Sequence, residues 1–318
     1  MLIVRHLDAF RASLDREGAT RGAVILACQC KPCCPGPVDE RFCIKWMQRG
    51  REQHFLKQRS VTLDEDAYLI LNGSEGSSSV YRGETGVRAF AVFFASDMVR
   101  QSLRADTFDQ DSTGDSCRRD LGALEHLRPH GDSVSLILHQ LARRVASGDD
   151  DDELWFEEKA VALLDSALAL ERDLRSASSA IASVKPATRH ELLRRVLLAA
   201  DFIWSNYEQP ITLDDIADAA RLSRFHLVRH FHQVQGVTPH AYLLTKRLAV
   251  AERLLLHTQL DLTDIAERAG FGTRWSLFRH LRKRLGAGGV ALRHRVGSET
   301  RTTSTASPRA LTTCHTSA

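Results

Sequence analysis

The chain has 318 residues, 43% hydrophobic and 26% charged, with a net charge of +3. That length and balance suit two domains with real cores and exclude a disordered or low-complexity chain. The apolar runs are short and broken by Arg, Glu or Asp, which excludes a membrane-spanning helix. Arg5 and Asp8 stand where a signal peptide would need an apolar core, so the expected location is the cytoplasm.

In chain order, residues 23–27 (AVILA), 68–71 (YLIL), 80–82 and 89–94 (AFAVFF) are short apolar runs rich in β-branched and aromatic residues. Gly- and Ser-rich turns at 72–77 and 83–86 separate some of them, and such spacing predicts a sandwich or small barrel. After about residue 95 the period changes. Helices are expected over 97–105, 121–127, 133–146 and 153–175, with loops at 106–120 and 148–152. In the last helix Leu154, Ala160, Leu163, Leu164, Ala167 and Leu168 share one stripe. Residues 176–186, small and polar and ending at Pro186, read as a linker. Residues 187–295 read as almost wholly helical. Residues 296–318, mostly Ser, Thr and Ala, cannot offset the entropy of ordering and read as a disordered tail. The expected fold class is α+β: residues 1–175, β-rich to about 95 and then helical, followed by an all-α domain over 187–295.

Charge follows this division. Residues 187–295 hold 17 Lys+Arg against 10 Asp+Glu, leaving 26 basic and 30 acidic residues elsewhere. A basic C-terminal third beside an acidic remainder implies that one part meets a polyanion.

One pattern occurs twice in that basic third. Thr212 to Ala220 leads through Arg221-Leu222-Ser223 to a basic helix from Arg224 that closes at Gly236. Thr263 to Ala269 leads through Gly270-Phe271-Gly272 to a second basic helix that closes at Gly286. A helix-turn-helix needs these residue types. Small Ala217 and Ala266 let two helices cross closely, and Ile216 and Ile265 fill the angle between them. Thr212 and Thr263 stand as expected N-caps and Ser223 as another; Gly270 suits the positive φ of a sharp turn. In the second helices Leu227, Phe231 and Val234, and Leu277, Leu281 and Leu285, form inward stripes, which turns the arginines outward. Between the copies, residues 239–257 form one apolar-faced helix that sets the spacing of the two units.

The matching motifs are Leu213–Ala217, Ser223-x-x-x-Leu227-x-Arg229-x-Phe231, Gly236-x-Thr238-Pro239-x-x-Tyr242-Leu243, Arg247-Leu248-x-x-Ala251-x-x-Leu254-Leu255, Asp264-Ile265-Ala266 and Gly270-Phe271. On these, residues 187–295 resemble the DNA-binding domain of the AraC/XylS family of bacterial transcription regulators. The resemblance implies base contacts from Arg224, Phe225, Val228 and Arg229 in the first unit. In the second it implies Arg274, Trp275, Ser276, Phe278 and Arg279. It further implies double-stranded DNA and RNA polymerase as partners, a small-molecule effector, a homodimer, no enzymatic activity, and a cupin-like sensing or dimerising domain in front. Two departures stand out: aromatic Trp275 and Phe278 in the second reading helix, and Gly288-Gly289-Val290 where the family closes on a Ser-Pro pair. The aromatic pair either folds inward or meets thymine methyls.

Five of the seven cysteines lie between residues 28 and 43. Cys28, Cys30, Cys33 and Cys34 have the density of a soft-metal or redox site, and a Pro-marked loop of incidental thiols is the competing reading. No cofactor is otherwise expected, and no His-x-His pair of a cupin metal site is present.

Overall fold

The computed structural model describes residues 2–5, 22–31, 41–56, 59–72, 78–83, 86–106, 125–179 and 186–285. Nine strands lie among them: β1 (Leu2–Val4), β2 (Ala23–Cys30), β3 (Phe42–Arg49), β4 (Arg51–Leu56), β5 (Arg59–Leu63), β6 (Ala67–Asn72), β7 (Ser78–Arg82), β8 (Val87–Phe94) and β9 (Leu127–Pro129). They form a six-stranded sheet, β1-β2-β8-β3-β6-β9, and a three-stranded sheet, β5-β4-β7. Only β1 and β2 pair in parallel. The chain passes from one sheet to the other at Gly50, between β3 and β4. There φ is +83°, and a Cβ would stand 2.5 Å from Val87 Cγ1, so only glycine fits.

Both faces of the larger sheet are buried, which is why β2 and β8 read as unbroken apolar runs instead of alternating ones. Val24, Leu26, Leu69, Ala91 and Phe93 face the smaller sheet. Ile25, Ile44, Tyr68, Phe90 and Val92 face two helices, α2 (Ser133–Ser147) and α3 (Glu153–Ser179). The stripe expected on the latter is confirmed at Ala160, Leu163, Leu164, Ala167 and Leu168, all buried, whereas Leu154 is exposed. A shorter helix, α1 (Ser96–Asp106), precedes them.

Between the sheets lies a buried polar group. Glu52 Oε1 accepts from Lys45 Nζ at 3.3 Å and from Ser79 Oγ at 2.8 Å, and Glu52 Oε2 lies 3.2 Å from His54 Nε2. Burial alone would raise the Glu52 carboxyl, but the adjacent cations and the Ser79 hydroxyl hold it well below the usual carboxylate range. Burial lowers His54, against the upward pull of the Glu52 carboxylate. These charges break the hydrophobic pattern of β3 and β4, neither of which the sequence pattern singles out.

The helix expected over 121–127 is corrected where it can be seen. Residues 121–124 lie outside the described residues, and Leu127 starts a strand that pairs with β6. The Leu127 N–H donates to Asp201 Oδ1 at 2.8 Å instead of to a helical carbonyl, and Pro129 suits an edge strand's end. Helix α3 runs on to Ser179, into the expected linker, whose last residue, Pro186, begins α4 (Pro186–Ser205). Residues 180–185, the 106–120 loop beyond Asp106 and the tail over 296–318 lie outside the described residues.

From there the helices are α5 (Leu213–Ala219), α6 (Arg224–Gln235), α7 (Pro239–His257), α8 (Leu262–Arg268) and α9 (Arg274–Leu285). Packing divides the chain into two compact units, and the division falls inside α7. One unit holds Met1–Asn206 with Ile211–Leu243; the other holds Tyr207–Pro210 with Leu244 onward. In the first, α4 lies against β5 and β9. Asp201 pairs with Arg59, Ser205 Oγ accepts from the Thr62 N–H at 3.0 Å, and Trp204 enters the core between the sheets.

Asp201 and Glu52 give opposed pH dependences. Burial lifts the Asp201 carboxyl from 3.8 to about 6, against the pull of Arg59 and the Leu127 N–H. Its contribution to stability is therefore present below pH 3.8 and lost as pH rises through about 6. The depressed Glu52 contributes above pH 4.5 and loses that contribution as pH falls below it. Unfolding free energy should thus fall between pH 4.5 and 6, with a slope of at most about 1.4 kcal/mol per pH unit from this group. Melting curves of Asp201→Asn should show a flatter slope in that window; an unchanged slope would refute the assignment.

Candidate nucleic-acid interface

The first helix-turn-helix is α5, a four-residue turn and α6. Thr212 caps α5 as expected, in a reciprocal capping box: its Oγ1 accepts from the Asp215 N–H at 3.2 Å, and its own N–H donates to Asp215 Oδ2 at 2.7 Å. That Thr212 N–H bond, and a second bond donated by the Thr212 hydroxyl to the same Oδ2 at 2.7 Å, hold the Asp215 carboxyl below its ordinary value. Ser223 caps α6 through its hydroxyl, accepting from the His226 N–H at 3.3 Å. Ile216, Ala217, Leu227 and Phe231 are buried at the crossing, and Phe231 meets Tyr242 edge-on at 5.4 Å. Val234 packs with Leu193 and Leu197 of α4.

The second unit, α8 and α9, repeats this with one change and one correction. Its N-cap is Asp261, not Thr263: Asp261 Oδ1 accepts from the N–H groups of Thr263 and Asp264 at 2.7 and 2.8 Å. A carboxylate two residues upstream meets those N–H groups with full charge, which leaves Thr263 inside the helix. Asp261 is thus the counterpart of Thr212. The change is in the turn, which is one residue longer, so that Thr273 caps α9 through the Ser276 N–H at 3.2 Å. Gly270 turns at φ +75°, and a Cβ there would stand 2.2 Å from Tyr207 O. Arg247 fixes that same carbonyl at 2.8 Å and Gln209 O at 2.8 Å. Leu277 and Leu281 are buried as expected; the side chain of Leu285 and the closure from Gly286 onward lie outside the described residues.

The outward faces of α6 and α9 carry the same chemistry at the same positions. Arg224, Phe225, Val228 and Arg229 are all exposed, and fifty residues on so are Arg274, Trp275, Phe278 and Arg279. Phe225 and Trp275 are each 70% exposed, which burial in a free-standing fold would not leave. The inward alternative for Trp275 and Phe278 is therefore overturned. Ser276 is half-buried beside the cap. Arg274 lies over the Trp275 ring at 5.4 Å, and Arg224 forms a fork with Asp214 of α5. The sequence pattern missed that brace, which engages Arg224 within its own unit. It also missed Lys246, fully buried with Nζ 4.9 Å from the Tyr207 ring centre.

Of the thiols, Cys28 is buried and Cys30 half-buried, on the same face of β2 with sulfurs 3.5 Å apart. Burial, and then Cys30, push the Cys28 thiol up to about 12. Cys33 and Cys34 lie outside the described residues. Among the described residues no three His, Cys, Asp or Glu side chains are grouped to hold a metal.

Comparison with known proteins bears on the helical third. A family described as "Helix-turn-helix domain" matches residues 216–293. The lactose operon transcription activator of Staphylococcus xylosus is 37% identical over 73 residues, 23% of this chain and 26% of that protein. The transcriptional activator RhaS of Klebsiella pneumoniae (strain 342) is 30% identical over 154 residues, 46% of this chain and 49% of that protein. The chain thus spans less than half the length of either relative. A solved regulator from Chromobacterium violaceum, described as having an AraC-type DNA-binding domain, is 28% identical. It covers 32% of this chain and 92% of its own, with a TM-score of 0.31.

Two substitutions test this geometry. Leu227→Ala removes a fully buried side chain and should cost about 2–5 kcal/mol, read by denaturant unfolding. Gly270→Ala must displace the Tyr207 carbonyl as well as adopt a positive φ, so it should destabilise the second unit by more than about 1 kcal/mol. Hydrogen exchange should localise that loss to α8 and α9; protection unchanged there would contradict the turn geometry.

Proposed function

We propose that the chain is a sequence-specific transcription regulator of the AraC type, a reading supported by the match of residues 216–293 to a helix-turn-helix domain family. In this reading α6 and α9 enter adjacent major grooves of double-stranded DNA. One observation carries it: the exposed set Arg, aromatic, apolar, Arg recurs at a constant fifty-residue spacing on two capped helices. Arginine reads guanine through O6 and N7 or clamps phosphate, and exposed Phe225, Val228, Trp275 and Phe278 suit thymine methyls. An interaction domain without nucleic acid would not need two arginines at each matched face. The wider reading is a non-enzymatic cytoplasmic homodimer that engages RNA polymerase, with effector control from the β-rich half. No helix among the described residues is long and apolar enough to cross a membrane.

A footprint on the promoter beside the chain's own gene should show protection in successive major grooves on one face, about one helical turn apart. Arg229→Ala and Arg279→Ala should each weaken binding without lowering the melting temperature. Where the arginine reads a base, its removal should cost about 1–3 kcal/mol and relax one operator position. Where it clamps phosphate, its removal should weaken binding to all sequences alike and reduce the salt slope by about one. Binding curves unchanged in both variants would remove the assignment of these helices as readers.

A further inference from the structure

A cavity of about 590 Å³ lies between the outer face of the smaller sheet and the C-terminal half of α4, reaching the turn of the first helix-turn-helix. Its volume is in the range of small-ligand clefts. Gln53 and Ser60 contribute from the sheet, Leu198 and Phe202 from α4, and Ala220 and Arg221 from the turn.

The charges around it are unequally engaged. Arg59 is committed to Asp201 and to the Glu125 carbonyl. Arg194 is held by both oxygens of Glu191 at 2.8 Å. The Arg221 guanidinium has no hydrogen bond or ion pair among the described residues. On the opposite wall the Ser60 hydroxyl accepts from Gln53 Nε2 at 3.3 Å and keeps its own proton to donate.

Arg221 is also the only non-glycine residue with positive φ among the described residues, at +52°. The second unit has Gly270 at the equivalent place. A residue with a Cβ is disfavoured in that conformation, so keeping an arginine there needs a reason. The turn is held in place from α4, where Arg195 Nη1 donates to the Arg221 carbonyl at 2.9 Å. The side chain is thereby held on the cavity wall.

We propose that this cavity binds a small hydroxyl-bearing organic anion, a polyhydroxy carboxylate or a phosphate monoester. Arg221 takes the anionic group, Ser60 and Gln53 take hydroxyls, and Leu198 and Phe202 face the carbon skeleton. Such a ligand bridges the β-rich half to the turn that orients α6. As effector control it rests on the regulator reading above; as a binding site it does not.

The test is calorimetry on the full chain without DNA, using gluconate, glucose 6-phosphate and neutral glucose as probes. At least one anion should bind with a Kd of about 1 mM or tighter, and glucose should not. Which anion binds distinguishes carboxylate from phosphate ester. Ser60→Trp fills the cavity from an exposed strand position, and Arg221→Asn removes the charge while tolerating the left-handed backbone. Each should weaken binding at least about tenfold, or 1.4 kcal/mol, with melting temperatures not lowered, and Arg221→Lys should recover part of it. Neither anion binding, or binding equally tight in both variants, would overturn the proposal. Operator binding is measured separately. Specific DNA binding without anion binding defeats only this inference, and anion binding without DNA specificity defeats only the regulator reading.

Discussion

The carboxylate of Asp201 is the point at which the β-rich half and the first helix-turn-helix become one packed body. One oxygen accepts the Leu127 N–H, which ties β9, the edge strand of the larger sheet, to α4; the other pairs with Arg59 at the start of β5. A charge taken this far from water is costly unless paired and hydrogen-bonded, and removing either partner would leave the other stranded. Around this pair the contacts are apolar. Trp204 lies in the core between the sheets and meets Tyr242 at 5.9 Å, which in turn meets Phe231 of α6. The path from sheet to reading helix is therefore continuous side-chain packing through α4 and the start of α7.

That continuity explains why the sequence pattern places a boundary at residues 176–186 while packing divides the chain within α7. Asp201 reads as an ordinary polar residue on a helix, and its partner Arg59 is 142 positions away. No local periodicity carries such a pairing. The charged residues in β3 and β4 are obscure for a related reason: Lys45 and Glu52 are inside because they pair with one another, with His54 beside them, and polarity scales place each of them outside. The three-residue β9 is too short for any pattern.

What is legible is what depends on neighbours in sequence. The helix from Pro239 to His257 has the bounds its apolar face predicts, and α6 buries Leu227 while α9 buries Leu277 and Leu281, as their spacing indicates. Thr212 and Ser223 cap as their residue types require. The second N-cap is displaced by two residues because Thr263 and Asp261 are both good caps, and only geometry decides between them. Among the outward residues the pattern identifies the exposed set but not the Arg224–Asp214 brace, which crosses from one helix to the next.

The two units show which parts of a helix-turn-helix are constrained and by what. Their first helices have seven residues each and their second helices twelve, with the same exposed arginines in register. Between them the turns differ in length and in backbone strategy. In the second, the Tyr207 carbonyl occupies the space a Cβ would need, so Gly270 is required by a contact from its own unit. In the first, that obstruction is replaced by an open cavity, and a side chain is retained at a conformational cost of order 1 kcal/mol. A purely structural repeat would relieve that cost with glycine. Strain kept only where a cavity adjoins the turn argues that the reading surface is held constant while the turn is shaped by what it must face.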